Sequence, residues 1–187
     1  MSALPSSKRL FTVDEVHAMH RQGYFAEGER VELVQGEIFV TPPPGERHNA
    51  SLDRLFRILV RSRHGYPAGG IGLRFDERNE VEPDLVFRPL TDDAADVMTG
   101  RGETLRRIAL IAEVAYTSHQ PDLSEKVETY SAGGIPEYLV VDVLRRQVFH
   151  FVRDEAGQLV CPSPFRNDEV VTLRAAPDVP SRVSELL

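Results

Sequence analysis

Two acids in this chain sit where short apolar strands would bury them. Asp84 opens the run Pro83-Asp84-Leu85-Val86-Phe87, and Glu113 interrupts Leu110-Ile111-Ala112-Glu113-Val114-Ala115. If these strands pair antiparallel, the start of one faces the end of the other, and the two carboxylates come together at one edge of a sheet. Carboxylates that close repel and stay ionised only with a cation between them. Hard oxygen ligands favour Mg²⁺ or Mn²⁺ over Zn²⁺. A third stretch, 122–130, reads as a helix whose apolar face is Leu123, Val127 and Tyr130. Lys126 lies at the edge of that face, and no other lysine follows Lys8. Its spacing leaves two readings open. The ammonium reaches inward past the core, towards a phosphate or an attacking water, or it snorkels outward and pairs with Asp122 at i−4. Two carboxylates, a metal ion and a lysine brought together in this way can cut a phosphodiester.

Other residues carry weaker signals. His48 starts a long helix just after Pro42-Pro43-Pro44-Gly45. A lone histidine there is more often a cap or a surface residue than a site residue. Arg54, Arg57 and Arg61 share one face of the same helix. They read as a solvated stripe or as a row of DNA phosphate contacts. Glu32 and Glu37 flank a turn, and five positions apart they would point to opposite faces of a continuous strand.

The elements that must position these groups follow in order. Thr12-Val13-Asp14-Glu15 has capping-box spacing and predicts a helix to about His20, closed by Gly23. Residues 31–34 and 37–41 predict a hairpin around Gln35-Gly36. Residues 47–63 predict a helix, with Leu52, Leu55, Phe56 and Leu59 at i, i+3, i+4 and i+7. A turn-rich connection is expected over 65–72, strands over 71–75 and 84–87, and a loop or irregular helix over 89–107. A buried strand is expected over 108–115, one helix over 122–132, and a hairpin of 137–143 with 147–152. Weak strands are expected near Leu159 and over 170–173. The mixture predicts an α/β (α+β) chain with a mixed sheet flanked by helices.

Composition sets the outer bounds. The 187 residues are 41% hydrophobic and 27% charged, enough for one domain with a core of its own. No apolar run approaches the roughly 18 residues of a membrane span, and the first residues lack the apolar stretch of a signal peptide. Cys161 is the only cysteine, so neither an internal disulfide nor a cysteine metal cluster is available. The expected location is cytoplasmic. A net charge of −7 argues against a general basic coat for nucleic acid but leaves room for a local one.

Taken together, Pro83-Asp84, Glu113-Val114 and Lys126 in the following helix resemble the PD-(D/E)xK nuclease superfamily. The chain is more specifically similar to the Uma-two family of restriction-endonuclease-like proteins. The pieces that carry the likeness run in order. They are 11–15, 31–38, the proline run before His48, Glu82-Pro83-Asp84-Leu85-Val86-Phe87, 111–114, Glu125-Lys126 with Tyr130, and 134–138 through Val141-Asp142. The resemblance implies a restriction-endonuclease-like core, placed over 11–175; residues 1–10 are expected to be flexible, and 176–187, with Pro177 and Pro180, to be an irregular tail. It implies DNA as substrate, Mg²⁺ or Mn²⁺ as cofactor, Asp84 and Glu113 as metal ligands, Lys126 as a migrated catalytic lysine, and Glu32 as an additional acid. By analogy with nucleases that cut two strands, it implies a homodimer. The chain departs from the family pattern at Ala115-Tyr116-Thr117-Ser118, where Ser-Pro-Ser is usual after Glu-Val, and at Leu139, where Trp is usual. The alternative is a catalytically silent nuclease fold that serves as a binding or dimerisation module.

Overall fold

A computed structural model describes residues 8–41, 43–90, 105–116 and 120–187. The elements in chain order are α1 (Val13–Arg21), β1 (Arg30–Val34), β2 (Glu37–Thr41), α2 (Glu46–Leu59), β3 (Gly65–Ala68), β4 (Leu73–Arg74), β5 (Glu80–Val81), β6 (Leu85–Pro89) and β7 (Leu110–Ala115). They continue with α3 (Gln120–Leu123), α4 (Glu125–Ala132), β8 (Glu137–Asp142), β9 (Gln147–Arg153), β10 (Leu159–Val160), β11 (Phe165–Arg166), β12 (Val170–Val171), β13 (Ser181–Arg182) and α5 (Val183–Leu186). This is the mixed α+β architecture that the sequence predicts.

The main sheet has the order β10-β9-β8-β7-β6-β3, with β11 also on β9. All of its pairs are antiparallel except β7 with β8, which are parallel. A parallel pair needs a crossover, and here the crossover passes through α3 and α4. A second sheet, β2-β1-β5-β4, lies beside the main one with α1. Its hairpin turns at Gln35 (φ 52°) and Gly36 (φ 79°). Positive φ at both positions is what a two-residue turn matched to strand twist requires.

Period-two alternation sorts the central strands between two cores. Leu85 and Phe87 of β6, Ala112 and Val114 of β7, and Leu139 and Val141 of β8 face α2 and α5. Val86, Ile111, Tyr138 and Val140 face the other way, against Tyr130 of α4 and the smaller sheet. Glu113 falls in phase with Ile111, so it is directed to the α4 side. The capping box at α1 forms as expected, with the Glu15 amide donating to Thr12 Oγ1 and the Thr12 amide donating to Glu15.

Three local expectations are corrected. The turn-rich stretch after His64 contains β3, an edge strand antiparallel to β6. Pro67 is tolerated there because an edge strand can spare an amide donor. The helix expected over 122–132 is two helices broken at Ser124, whose φ −132° and ψ −86° are not helical. The C-terminal run over 176–187 is ordered: β13 pairs with β12, and Ala176, Val183 and Leu186 are buried in the core under α2. Most of the loop expected over 89–107, and all of residues 1–7, lie outside the described residues. Among the described residues, no helix is long and apolar enough to cross a membrane.

Candidate active site

The register of β6 on β7 pairs Leu85 with Ala112 and Phe87 with Leu110. One step further brings Asp84 beside Glu113, as the antiparallel argument requires. The backbone locks the two acids together. The Asp84 amide donates to Glu113 Oε2 at 3.1 Å, and the Val114 amide donates to Asp84 Oδ2 at 2.8 Å.

Lys126 reaches the same point from α4. Its Nζ lies 2.8 Å from Glu32, 2.9 Å from Glu113 and 3.2 Å from Asp122. Both sequence readings of this lysine are partly realised: the ammonium is buried, and it also pairs with Asp122. An ammonium has three protons, and three carboxylates take them. The break at Ser124 lets the short α3 present Asp122 to α4. Tyr130, one turn on from Lys126, donates its hydroxyl to Glu113 Oε1 at 3.2 Å.

Asp84 has two cationic neighbours. Arg30 Nη1, at the start of β1, donates to Oδ1 at 2.8 Å, and His48 Nε2 lies 2.9 Å from Oδ2. The structure thus places His48 in the site. Glu32 joins it from β1, accepting from the Glu82 amide at 2.9 Å, while Glu37 is exposed and pairs with Lys8. The arginine stripe is divided. Arg57 pairs on the surface with Asp53, Arg61 is exposed beyond the end of α2, and Arg54 donates to the Leu187 carbonyl. None of the three lines the acidic cleft, so the row does not converge on the site.

Four carboxylates therefore share Lys126, Arg30 and His48. Burial pushes Asp84 up, but His48, the Val114 amide and Arg30 outweigh it and hold the group at about 2. Glu113 moves the other way. Burial raises it first, Lys126 pulls it back, and Asp84, Asp122 and Glu32 push it further up, so it keeps a proton well above the usual carboxylate range. Asp122 is raised by burial too, against Lys126. Burial lowers Lys126, yet the surrounding acids raise it well above an ordinary lysine. Burial also lowers His48, but Asp84 more than compensates and favours the imidazolium.

These groups wall a cleft of about 450 Å³, rimmed by Pro43, Pro44 and Tyr116. Among the described residues, no three His, Cys, Asp or Glu are arranged to hold a metal ion by themselves. The donor set nevertheless suits a hard cation. Asp84 and Glu113 each accept three of the roughly four hydrogen bonds that a carboxylate can take. Asp84 keeps one oxygen lone pair beyond these three, while at Glu113 a cation would have to displace the proton that the site retains. Mg²⁺ in particular binds through one or two carboxylates and takes its remaining ligands from water and phosphate.

Sequence reasoning passed over Arg30 and weighed Asp122 only as a partner for Lys126. The alternation that reveals β1 also marks residue 30 as a strand start, and nothing in it marks the guanidinium as a partner for Asp84.

The model of the Uma2 family, described as "Putative restriction endonuclease", matches residues 13–183. A solved structure described as a "putative nuclease" from Anabaena variabilis is similar in fold, with a TM-score of 0.65. The likeness covers 83% of this chain and 88% of that one at 13% sequence identity, a level at which only the fold is shared. No curated protein matches the sequence. With nearly the whole described fold inside the matched range, the chain belongs to the Uma2 family of restriction-endonuclease-like proteins.

Proposed function

We propose that this protein is a metal-dependent DNA endonuclease, with Asp84 and Glu113 as ligands for Mg²⁺ or Mn²⁺. The observation that carries the reading is the convergence of Asp84, just before β6, with Glu113 of β7, Lys126 of α4 and Glu32 of β1 in one cleft. A bound divalent ion supplies charge for the phosphodiester oxygens and lowers the pKa of a water. The chain's own residues do the rest. Asp84 and Glu113 set the ion's place. Lys126 is held by three acids and orients Glu113, a positioning role rather than direct contact with phosphate. Arg30 is the cation best placed to meet substrate, because its side chain is 26% exposed while Lys126 is 6% exposed. A guanidinium can bind two phosphate oxygens at once. His48, bonded to Asp84, can exchange a proton at Nε2 when that bond loosens. Two copies, one for each strand, fit the cutting of duplex DNA.

The test is cleavage of supercoiled and linear DNA in Mn²⁺ or Mg²⁺. Nicking by the native protein and its loss in Asp84→Asn are expected. Protein that cuts neither form, or an Asp84→Asn variant that cuts at the native rate, defeats the reading.

One observation favours a second reading, a silent module that binds but does not cut. All four oxygens of Asp84 and Glu113 already have protein donors. Calorimetric titration with Mn²⁺ separates the two readings, since the silent module has no heat of binding that Asp84→Asn abolishes.

A further inference from the structure

A second cleft of about 360 Å³ opens beside the first. Its walls include Arg47, Ser51 and Arg54 on one face of α2, Val143 and Arg146 from the turn between β8 and β9, and Leu187. Residues 47, 51 and 54 are spaced by four and three, so their side chains stack along one stripe of the helix. All three arginines are exposed, and no acidic side chain lines the cleft among the described residues. Ser51 is 1% exposed, and its hydroxyl has no hydrogen-bond partner. A buried hydroxyl without a partner is costly and uncommon. Arg54 is already bonded to the Leu187 carbonyl, which leaves Arg47 and Arg146, with the spare Ser51 donor, as a set suited to an oxyanion.

The place of this cleft in the fold identifies the anion. β7 and β8 are parallel and in register from Ile111 with Tyr138 to Ala115 with Asp142, so their C-terminal ends lie side by side. The Val143 amide donates to the Ala115 carbonyl at 3.0 Å. Val114 and Ala115 wall the acidic cleft, and Val143 walls the basic one. The two clefts therefore share a wall at this sheet edge, where paired backbones run side by side. The first turn of α2 spans both, with His48 in one and Arg47 in the other. A DNA strand carries phosphates at every nucleotide, so a strand lying across the acidic cleft presents further phosphates to the neighbouring basic wall.

We propose that Arg47 and Arg146, with Ser51, bind a backbone phosphate of the DNA strand in this cleft, next to the phosphate held at the acidic centre. This rests on the nuclease reading for its ligand, but it concerns binding and not cleavage.

Fluorescence anisotropy of a labelled DNA duplex, without divalent metal and over a range of salt, tests it. Arg47→Ala with Arg146→Ala should weaken binding roughly tenfold and reduce the salt slope by about 0.9 for one lost phosphate contact. Ser51→Ala should weaken binding with the slope unchanged, because a neutral hydroxyl releases no counterion. Arg57→Ala, on a residue paired with Asp53 outside the cleft, should change nothing. Thermal melts confirm folding, and the double variant alters only exposed side chains. An affinity and slope equal to the native protein's in the double variant overturn the subsite, as does a native protein that binds no DNA. If Arg47→Ala/Arg146→Ala shifts binding but the native protein cuts nothing in Mn²⁺, the subsite stands and the endonuclease reading falls. If the native protein cuts but the slope is unchanged, the reverse holds.

Discussion

Replacing Lys126 by Met removes a charge and keeps most of the apolar stem. Glu32, Glu113 and Asp122 lose their shared partner, at 2.8, 2.9 and 3.2 Å. Breaking a buried ion pair by deleting one member costs about 3–5 kcal/mol, because the other member stays buried and uncompensated. Three acids around a lysine that is 6% exposed place this change at the upper end. A domain of this kind holds about 5–15 kcal/mol in total, so the variant stays folded with a much smaller margin. The cost should depend on pH. Burial and the neighbouring acids already raise Glu113 and Asp122, against the pull of Lys126, and without Lys126 both rise further. An acid whose folded pKa lies above its unfolded value binds more protons in the folded state. Stability then falls as pH climbs from the unfolded value through the folded one. The deficit should therefore be small near pH 5 and widen towards pH 8. The raised pKa of Lys126 adds no slope in this range, since its contribution is complete below the ordinary lysine value of 10.5 and is lost only above it. Urea unfolding followed by circular dichroism at several pH values measures this, with an unchanged m-value expected. A deficit below about 1 kcal/mol, the size of a surface pair, and equal at every pH would refute the idea of a buried charge hub.

Asp84 should impose the opposite dependence. Its pKa falls from 3.8 to about 2, so about 2 kcal/mol of stability is present above the unfolded value and is lost as pH drops through that window. The difference between native protein and Asp84→Asn should shrink on acidification, and a constant difference down to pH 2 would contradict this. Mn²⁺ affinity should rise by up to about tenfold per pH unit while Glu113 still holds its proton, because the ion must displace that proton. Calorimetry in buffers of different ionisation heat would show the released proton, and affinity independent of pH would rule the displacement out. Gly65→Ala should destabilise by about 1–3 kcal/mol through overpacking. A Cβ there would meet the Arg88 carbonyl at 2.2 Å and the Phe87 ring at 2.5 Å. An unchanged melting temperature would mean that β3 shifts freely on β6.

The pairing of Asp84 with Glu113 was legible in the sequence because strand phase and direction dictate it. Lys126 was legible for the same kind of reason, since helix phase puts it at an apolar edge. The β1–β2 hairpin and the capping box of α1 are likewise local patterns with local causes. What stayed hidden was set by tertiary approach. Arg30 becomes Asp84's partner only because the smaller sheet docks against the larger. The Tyr130 hydroxyl looks like core until Glu113 is placed above it. β3 was missed because Tyr66-Pro67 between glycines reads as a turn, and only a free sheet edge makes it a strand. The C-terminal run with Pro177 and Pro180 reads as irregular, yet Glu137 fastens it. That buried acid accepts from the Arg174 and Ala175 amides at 2.7 and 2.8 Å.

The charged centre also bears on the order in which the chain folds. Arg30 and Asp84 are 54 positions apart, and Gln35 reaches Glu128 across 93. Closing loops of that length costs more chain entropy than forming local helices and hairpins, which favours a later place in folding. Any species in which the hairpin had not docked would leave Glu32, Asp84 and Glu113 open to water, as repulsive charge where apolar strands would otherwise adhere. Docking is also selective. The subcore joining α1 to the hairpin is small, with Val13, Val16 and Leu33 as its buried residues, so apolar contact alone discriminates poorly. A slip of one residue in β1 would turn Glu32 to the opposite face and leave Lys126 short of a partner, at a cost of several kcal/mol. The same acids that suit the cleft to chemistry thus act as a register check on the strand that completes it.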